Sequence, residues 1–329
     1  MTAPVLVTGG AGYIGSVVVE RLLARGTEVV ILDDLSTGHH AALATGEGVS
    51  FVEGGIGDSG LLKSVFAQHA VGAIVHMAAY ALVAESVAHP AKYRANNVAA
   101  ARVLLDAAVA AGIRRFIFSS SCAVYGHPAR VPIPEDAPKA PVNPYGATKL
   151  EFEQVLGDYA ARTGFSSISL RYFNAAGATE RCGEDHRPES HLVPTVLAVA
   201  LGRQAAVNVY GTDYPTADGT AVRDFIHVED LADAHVRALD VAVDGTVAMN
   251  LGTGTGHSVR EVVDAARRIT GRDIPVTDCP RRAGDPPELV AAPGRAATVL
   301  GWRPRRSSLN EILESAWRWH RAHPRGYRT

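Results

Sequence analysis

A tyrosine and a lysine lie four residues apart in NPYGATKL, residues 143–150, and their types and spacing could do proton chemistry. Asn143-Pro144 is typical of a turn or a helix start, which predicts Tyr145 and Lys149 on one helical face. Lowering a phenol pKa from about 10 to about 7 takes roughly 4 kcal/mol of preference for the phenolate. One ammonium at about 4 Å, in an effective dielectric near 20, supplies that order of energy. The pair indicates a tyrosine general base; the alternative is a surface tyrosine beside a solvated lysine.

A run of three serines follows apolar residues in FIFSSSCAVYG, residues 116–126. The apolar residues predict a buried strand, and ligands bind at the carboxyl ends of strands in open α/β sheets. Ser121 or a neighbouring serine is therefore a candidate to hydrogen-bond a substrate hydroxyl. The alternative is that the serines only form the turn after the strand.

A glycine-rich loop, TGGAGYIGS, follows the first predicted strand and opens a predicted helix. Gly9, Gly12 and Gly15 have the spacing GxxGxxG. A tight turn without Cβ atoms lets a pyrophosphate approach the backbone and the helix N-terminus. The loop therefore predicts dinucleotide binding; the alternative is a turn that merely packs a helix on a sheet.

Two aspartates end the second predicted strand, eighteen residues beyond Gly15. A carboxylate from Asp33 or Asp34 at this position would accept hydrogen bonds from an adenosine ribose and repel a 2′-phosphate. The sequence therefore favours NAD over NADP as the cofactor.

The elements that must position these residues alternate between short β-branched runs and helical stretches along the first half of the chain. This alternation predicts an α/β fold with a Rossmann-type doubly wound parallel sheet, helices covering both faces. After Asn174 the sequence becomes polar and glycine-rich, which predicts a loop leaving the sheet. We expect an NAD-binding domain over residues 1–173, rejoined by residues 222–245, and a smaller α/β substrate-binding domain over residues 174–329.

The bulk composition excludes several classes of protein. The net charge of −2 provides no basic field for nucleic acid or an anionic membrane surface. The N-terminus lacks the pattern of a signal peptide, and no apolar run reaches the length of a membrane span. Three distant cysteines argue against disulfides, and the thirteen histidines show no HExxH or CxxC-like spacing. We expect a cytoplasmic protein without a metal site.

The motifs together resemble the extended short-chain dehydrogenase/reductase superfamily and, within it, the UDP-glucose 4-epimerases. The resemblance runs through nearly the whole chain. It implies an isomerase with bound NAD and a UDP-hexose substrate, so the second domain is expected to bind the UDP-sugar, and it implies a homodimer. The segments that carry it are TGGAGYIGS, FSSS and VYG, PYGATKL, RYFNAAGA (171–178), YGTDYPTADGTAVRDFIHVEDLADAH (210–235), NLGTG (250–254) and PRRAGDP (280–286).

The resemblance implies catalytic roles for three residues. Tyr145 would take the proton from the sugar 4-hydroxyl while C4 gives hydride to the nicotinamide. Lys149 would lower the phenol pKa and hold the nicotinamide ribose, and Ser121 would hydrogen-bond the same sugar oxygen. The 4-keto sugar would then turn over in the pocket and receive hydride on its other face, so that net redox is zero.

The resemblance also implies two sets of binding residues. At the cofactor, besides the three glycines and two aspartates, it places Tyr13, Ile14, Ile56, Asp58, Ala78, Asn96, Ser119, Tyr145, Lys149 and Tyr172. At the UDP-sugar it places Ser121, Tyr145, Asn174, His191, Leu192, Tyr210, Arg223, Arg282, Asp285 and Leu289. Tyr210 would lie against the uracil and Asp285 would accept from a ribose hydroxyl. Two arginines suit a diphosphate, although Arg282 is alternatively one of several arginines on a solvated face.

The sequence departs from the family pattern at four places, one of which is His191, where some relatives have asparagine. Gly55 stands where the family usually has an aspartate at the adenine, so either Asp58 substitutes or the adenine is held less tightly. The segment around Tyr80 and Ala81 lacks a lysine that is common in the family, which predicts one missing cationic contact to the cofactor. Leu289 replaces a tyrosine that narrows the sugar pocket in some members, and we hypothesise tolerance of UDP-GlcNAc and UDP-GalNAc.

Three other functions are alternatives to epimerisation of UDP-glucose. A nucleotide-sugar 4,6-dehydratase needs an acid beside the serine, and Ser121-Cys122-Ala123 provides none. A UDP-glucuronate 4-epimerase stays open, because the sequence does not show what faces the sugar C6. A non-catalytic sensor of NAD or a nucleotide sugar is the alternative from another class, although such proteins often lose the tyrosine or the lysine.

Overall fold

The computed structural model describes residues 3–282 and 284–328 and has alternating strands and helices. The strands are β1 (Val5–Thr8), β2 (Val29–Asp33), β3 (Val49–Glu53), β4 (Ala73–His76), β5 (Arg115–Ser121), β6 (Ser166–Tyr172), β7 (Asn174–Ala176), β8 (Val207–Tyr210), β9 (Val222–Arg223), β10 (Phe225–His227), β11 (Thr246–Leu251), β12 (His257–Ser258), β13 (Val276–Cys279), β14 (Glu288–Leu289) and β15 (Pro324–Tyr327). The helices are α1 (Tyr13–Ala24), α2 (Ser59–Gln68), α3 (Val83–Ala88), α4 (Pro90–Arg94), α5 (Ala101–Ala110), α6 (Pro144–Thr163), α7 (Leu192–Ala200), α8 (Val228–Ala238), α9 (Val259–Thr270), α10 (Gly294–Val299) and α11 (Leu309–Ala322). Among the described residues, no helix is both long and apolar enough to cross a membrane.

Seven parallel strands form the central sheet in the order β3-β2-β1-β4-β5-β6-β11. From β1 the chain first builds outward through β2 and β3, then crosses to β4 and builds in the other direction. Thr8, at the end of β1, pairs with Leu32 on one side and His76 on the other. The strand order therefore reverses between β1 and β4, where doubly wound sheets bind their ligands. The predicted Rossmann-type fold is confirmed.

Helices cover both faces of this sheet, which explains why its strands are almost continuously apolar. In β1, Val5 and Val7 belong to the hydrophobic cluster that includes residues of α1 and α8. Leu6 points the other way, into the cluster formed with residues of α2, α5 and α6. All four residues of β1 are buried. The alternation along one strand thus fixes which helices lie on which face.

Helix α6 carries the tyrosine–lysine pair and begins where the sequence predicts. Asn143 is the N-cap residue, and its Oδ1 accepts a hydrogen bond from the Gly146 amide at 2.8 Å. Pro144 occupies the first helical position, where its missing N–H costs nothing. The helix ends at Gly164, whose φ of 64° is the left-handed conformation common at helix C-termini. The cap fixes the first turn, and with it the direction of Tyr145.

The chain after β6 leaves the sheet, builds smaller layers and then returns. Two two-stranded sheets, β7–β10 and β8–β13, and one three-stranded sheet, β12-β9-β14, accompany a second core between α7, α9 and α11. Helix α8, within the segment 222–245, packs on α1. Strand β11, just beyond that segment, pairs with β6 along its whole length and completes the sheet.

Candidate active site

Tyr145 and Lys149 lie in the first two turns of α6, and both side chains are buried, with exposed fractions of 7% and 3%. The Lys149 ammonium donates a hydrogen bond to the Ser119 carbonyl at 2.8 Å. Its nitrogen is 4.9 Å from the centre of the Phe118 ring and 5.8 Å from the centre of the Tyr145 ring. The predicted helical pair is therefore present as a buried arrangement, and the alternative of a surface tyrosine beside a solvated lysine is wrong.

Burial dominates the acid–base properties of the pair. It raises the pKa of Tyr145 well above its ordinary value; the neighbouring Tyr172 adds to the rise, and a hydrogen bond with Ser121 opposes it. Burial lowers the pKa of Lys149 from 10.5 to about 7, against an opposing effect of Glu153. In the chain alone, burial therefore opposes the effect predicted for Lys149 on the phenol. The lysine pays the same desolvation cost and is aimed at a backbone carbonyl.

The three serines at the end of β5 have three different partners. Ser119 Oγ is hydrogen-bonded to Tyr172 Oη at 2.8 Å, which ties β5 to the end of β6. Ser120 Oγ donates to Glu153 Oε1 at 2.6 Å. Ser121 Oγ accepts from the Ala123 amide at 3.2 Å, and Ser121 opposes the rise that burial causes in the pKa of Tyr145. Of the three, Ser121 is the one placed beside the candidate base, as the sequence predicts.

A buried ion pair behind the serines was not predicted from the sequence. The side chains of Arg171 and Glu153 are only 5% and 9% exposed. Arg171 Nε donates to Glu153 Oε1 at 2.9 Å, and Arg171 Nη1 donates to Tyr125 Oη at 2.9 Å. The ion pair joins β6 to α6. Its Glu153 also accepts the hydrogen bond from Ser120, so the pair fixes the end of β5 from which Ser121 projects. The one signal in the sequence is a charged residue inside the apolar run SSISLRYF.

The glycine loop has the shape that a pyrophosphate requires. Gly9 has a φ of 74°, and a Cβ atom there would lie 2.6 Å from the Ala78 backbone nitrogen. A Cβ atom on Gly15 would lie 2.0 Å from the Gly9 carbonyl oxygen. Gly12 is the N-cap of α1, and among the described residues no side chain caps this end and no acid lies in the first turn. The amides of the first turn are therefore free of side-chain competitors for an anion.

The side chains of the two residues after Gly12 are engaged within the protein. Ile14 is half-buried and packs against the core under α1. The Tyr13 hydroxyl donates to the Gly177 carbonyl at 2.6 Å, so this side chain ties α1 to the loop after β7. Burial raises the Tyr13 pKa well above its ordinary value. A cofactor contact from Tyr13 or Ile14 would use the main chain rather than the side chain.

Asp33 and Asp34 end β2 beside the glycine loop, with different surroundings. Asp33 is buried and accepts from the Ala11 amide and the Leu35 amide, both at 2.9 Å. Burial raises the pKa of Asp33, while these two hydrogen bonds lower it. Asp34 is exposed and accepts from the Ser36 amide at 3.0 Å. Asp33 is therefore joined directly to the glycine loop, where the sequence predicts a carboxylate for the ribose.

The region predicted to hold the adenine has one free position. Asp58 is the N-cap of α2, and its Oδ1 accepts from the Gly60 and Leu61 amides, each at 2.9 Å. Ile56 is buried beside it. At Gly55, an added Cβ atom would meet no described atom within 4 Å. One oxygen of Asp58 is thus engaged in capping α2. Gly55 leaves room for a side chain.

The loop after β4 is positioned by a residue that the sequence analysis overlooked. Asn97 Oδ1 accepts from the Tyr80 amide at 2.9 Å, and its Nδ2 donates to the Tyr80 carbonyl at 3.0 Å. Nδ2 also contacts Thr148 of α6 at 3.2 Å, so Asn97 joins this loop to the helix of the catalytic pair. The predicted cofactor residue Asn96 donates to Asn97 Oδ1 at 3.1 Å. In the sequence, the signal for this residue was the pair of adjacent asparagines. In the structure they lie in a π-helical segment over residues 95–100.

The loop around Tyr80 contains no lysine, but a lysine from another element lies beside it. Lys92 Nζ lies 4.2 Å above the Tyr80 ring and donates to Glu85 Oε1 at 2.6 Å. It comes from α4 rather than from the loop itself. A cation from another element therefore lies near Tyr80, where it is paired with Glu85.

Four of the residues predicted to bind the UDP-sugar form two contacts with each other in the second part of the fold. Arg223, in β9, pairs with Asp285, and the arginine side chain is 12% exposed. Arg282 lies with its guanidinium carbon 4.0 Å above the Tyr210 ring. Asp285, predicted to accept from a ribose hydroxyl, pairs with Arg223 in this structure. Each predicted arginine is thus kept in place by another predicted residue.

Asp224, next to Arg223, organises this region and was not predicted. It is fully buried and accepts from the Thr253 amide at 2.9 Å, the Gly254 amide at 3.0 Å and the Ala291 amide at 3.1 Å. Burial raises its pKa, and these hydrogen bonds oppose the rise. Its own carbonyl accepts from the amide of Asn174. Asp224 therefore joins three other chain segments beside Arg223, two through its carboxylate and one through its backbone carbonyl.

Leu289 and His191, both predicted at the UDP-sugar, have defined partners within the protein. Leu289 is half-buried in β14, pairs with Arg223, and packs against an apolar cluster that contains Cys122. His191 immediately precedes Leu192, the first residue of α7. The His191 ring is held by carboxylates, with Nδ1 2.9 Å from the nearer oxygen of Glu184. The imidazole is therefore engaged within the protein rather than free for a sugar.

Similarity to known proteins extends over nearly the whole chain. The NAD dependent epimerase/dehydratase family matches residues 5–252. The UDP-glucose 4-epimerase of Streptomyces lividans is 49% identical, over 99% of this chain and 99% of its own. Among solved structures, UDP-glucose 4-epimerase from Brucella ovis in complex with NAD is 48% identical with a TM-score of 0.92, over 96% of this chain and 98% of that chain. UDP-glucose 4-epimerase from Bifidobacterium longum in complex with NAD⁺ and UDP is 39% identical with a TM-score of 0.94, over 98% and 99%. This chain therefore belongs to the NAD-dependent epimerase/dehydratase family.

Proposed function

We propose that the chain is an NAD-dependent isomerase that interconverts UDP-glucose and UDP-galactose. The observation that carries the proposal is the buried group of Tyr145, Lys149 and Ser121, at the same edge of the sheet as the glycine loop. The relatives described above are UDP-glucose 4-epimerases, and their similarity covers nearly all of this chain. The group and the family together support epimerisation at C4 of the sugar.

The chain's own residues fit NAD at the glycine loop. The close approach at Gly9 and Gly15 and the open end of α1 suit a pyrophosphate, and Asp33 is placed for the adenosine ribose. The structure of the Brucella ovis relative holds NAD. NAD⁺, when bound, takes up and returns the two electrons of C4 oxidation, so that the overall reaction is redox-neutral.

The proton steps fall to the residues of α6 and β5. Tyr145 accepts the proton of the 4-hydroxyl, Ser121 hydrogen-bonds the same oxygen, and Tyr145 later returns the proton to the epimeric alcohol. Lys149 holds positive charge below the phenol and stabilises its ionised form. Since burial raises the pKa of Tyr145 in the chain alone, a further positive charge nearby would favour loss of the phenol proton. Proton transfer is thereby coupled to the oxidised state of the cofactor.

The substrate's diphosphate and uracil have candidate partners in the second part of the fold. Arg223 and Arg282 supply the positive charge, and both are fixed by contacts with other side chains. Tyr210 offers an aromatic face beside Arg282 for a planar base. The Bifidobacterium longum relative has UDP bound. These placements support a UDP-sugar whose hexose extends towards Tyr145.

Replacing Tyr145 by phenylalanine tests the central role. We expect a loss of at least about 100-fold in kcat, the lower end of what a positioned general acid–base supplies, with NAD content unchanged. The assay follows the ratio of UDP-galactose to UDP-glucose with time. Tyr159→Phe, on the same helix and facing Asp106, is the matched control and should keep full activity. Full activity of Y145F would refute the proposal.

The chain is further proposed to accept the N-acetyl sugars, because Leu289 is smaller than the tyrosine of some family members. Leu289→Tyr should then reduce kcat/KM for UDP-GalNAc while that for UDP-galactose changes little. The two substrates are compared in parallel on both proteins. Absence of any turnover of UDP-GalNAc by the unaltered chain would reject this extension.

A cytoplasmic location is proposed from the sequence patterns described above, and a homodimer from the family resemblance alone. Of the alternatives, a non-catalytic sensor is disfavoured by the intact buried pair of Tyr145 and Lys149. A UDP-glucuronate 4-epimerase is disfavoured by the similarity to UDP-glucose 4-epimerases, and parallel incubation with UDP-galacturonate tests it directly.

A further inference from the structure

Two histidines and two glutamates come together in the loop between β7 and α7. Glu184, His186, Glu189 and His191 each offer a nitrogen or oxygen atom, and these atoms all lie within 4.8 Å of one another. The four residues occupy the short stretch EDHRPESH with the spacing E-x-H-x-x-E-x-H. None of the four has a role in the proton chemistry proposed above.

The distances between these atoms suit a tetrahedral metal ion. His191 Nδ1 is 2.9 Å from Glu184 Oε1 and 3.0 Å from Glu189 Oε1. His186 Nδ1 is 3.3 Å from Glu184 Oε1 and 3.5 Å from Glu189 Oε2. In a tetrahedral zinc site with bonds of about 2.0–2.2 Å, neighbouring ligand atoms lie about 3.4 Å apart. Three of the four distances are shorter than this value and one is slightly longer.

Two of the buried atoms in this group lack a hydrogen-bond partner among the described residues. They are His186 Nδ1 and Glu189 Oε2. Since the two atoms are 3.5 Å apart, a good hydrogen bond would need them to approach further. A buried polar atom without a partner is costly, and a cation between the carboxylates and imidazoles would satisfy both.

The backbone already orients one of the carboxylates. Glu189 Oε1 accepts from the Ser190 amide at 2.7 Å and from the His191 amide at 2.8 Å. Hydrogen bonds of this kind orient metal ligands in established sites. Glu184 has a side chain that is only 5% exposed.

We propose that Glu184, His186, Glu189 and His191 bind a divalent transition-metal ion, with Zn²⁺ as the first candidate. Two carboxylates balance the charge of the ion, and two neutral imidazoles complete a four-coordinate set of nitrogen and oxygen ligands. The ion would close the loop that ends at the first residue of α7. The expectation of no metal site rested on HExxH and CxxC-like spacings, which this stretch does not contain. Two imidazolium–carboxylate pairs are the metal-free alternative.

Metal binding to the full-length protein tests the proposal. The protein is stripped with a chelator and titrated with Zn²⁺ against a competing indicator, and the bound metal is counted by mass spectrometry. We expect about one tightly bound ion per chain. Loss of a hydrogen-bond partner of a metal ligand alone costs 10–100-fold in affinity, so His186→Gln and Glu184→Gln should each weaken binding by at least about 100-fold. His127→Gln, an exposed histidine elsewhere, is the control and should bind like the unaltered chain.

Cobalt(II) gives a readout that needs no variant. Its binding to the unaltered chain should produce the strong visible absorption of a tetrahedral site, and Zn²⁺ should displace it. Absence of stoichiometric binding, or an octahedral cobalt spectrum, would overturn the proposal. So would unchanged zinc affinity in a folded variant lacking His186 and Glu184 together.

Discussion

Replacement of Lys149 by methionine removes the positive charge beneath Tyr145 while keeping an apolar chain of similar length. The lysine nitrogen lies 5.8 Å from the centre of the tyrosine ring. At an effective dielectric near 20, a unit charge at this distance stabilises a phenolate by about 3 kcal/mol. That is about two pKa units, so we expect kcat to fall on the order of 100-fold. The charge is present only below the pKa of Lys149, which burial lowers to about 7.

The activity ratio between the unaltered chain and Lys149→Met should therefore fall as pH rises through 7. Below that pH the unaltered lysine is charged and the variant has no counterpart; above it the lysine loses its proton and the difference shrinks. The assay is epimerisation of UDP-galactose from pH 6 to pH 9 with NAD content measured in each sample. Lys63→Met, an exposed lysine on α2, is the control. A ratio that stays constant with pH, or a loss of less than about fivefold, would contradict the electrostatic role.

Two other substitutions test the cofactor site and the support behind it. Gly55→Asp places a carboxylate where no described atom lies within 4 Å of an added Cβ. A hydrogen bond from the adenine to this charge should slow NAD dissociation roughly 10–100-fold relative to Gly55→Ala, and equal rates would show that the carboxylate does not reach the cofactor. Glu153→Gln leaves the buried Arg171 without its counter-charge and should lower the free energy of unfolding in urea by about 3–5 kcal/mol. Glu151→Gln, in a surface pair, should cost less than about 1 kcal/mol, and similar losses in both variants would refute the distinction.

The parts of the fold that follow local patterns were predictable from the sequence. Alternating apolar runs and helices gave the parallel sheet, because both periodicities are local properties of the chain. The start of α6 at Asn143-Pro144 depends on a cap and a proline that are adjacent in sequence. The glycine loop was predictable as well. Gly15 approaches the backbone of Gly9, which is close along the chain, and Gly9 approaches Ala78, which follows the neighbouring strand β4.

Features that depend on distant contacts were not predictable. The partners of Asp224 lie in three segments far along the chain, and the acid is not distinguished within VRDF. The three serines of β5 look alike in sequence and separate only when α6 and β6 bring Glu153, Tyr172 and Tyr145 to them. The pKa of Lys149 likewise depends on burial, which the spacing from the tyrosine does not reveal.

The return of the chain as β11 has a consequence for how the protein can be divided. Residues up to β6 contain the glycine loop and the catalytic pair, yet a fragment of those residues alone would leave the backbone of β6 unpaired along one side. It would also lack α8, which covers the outer surface of α1. Exposed strand edges and apolar helix faces favour aggregation. The nucleotide-binding half therefore cannot be transferred to another protein alone. A recombinant that exchanges specificity between relatives must take α8 and β11 from the same parent as the rest of the nucleotide-binding half.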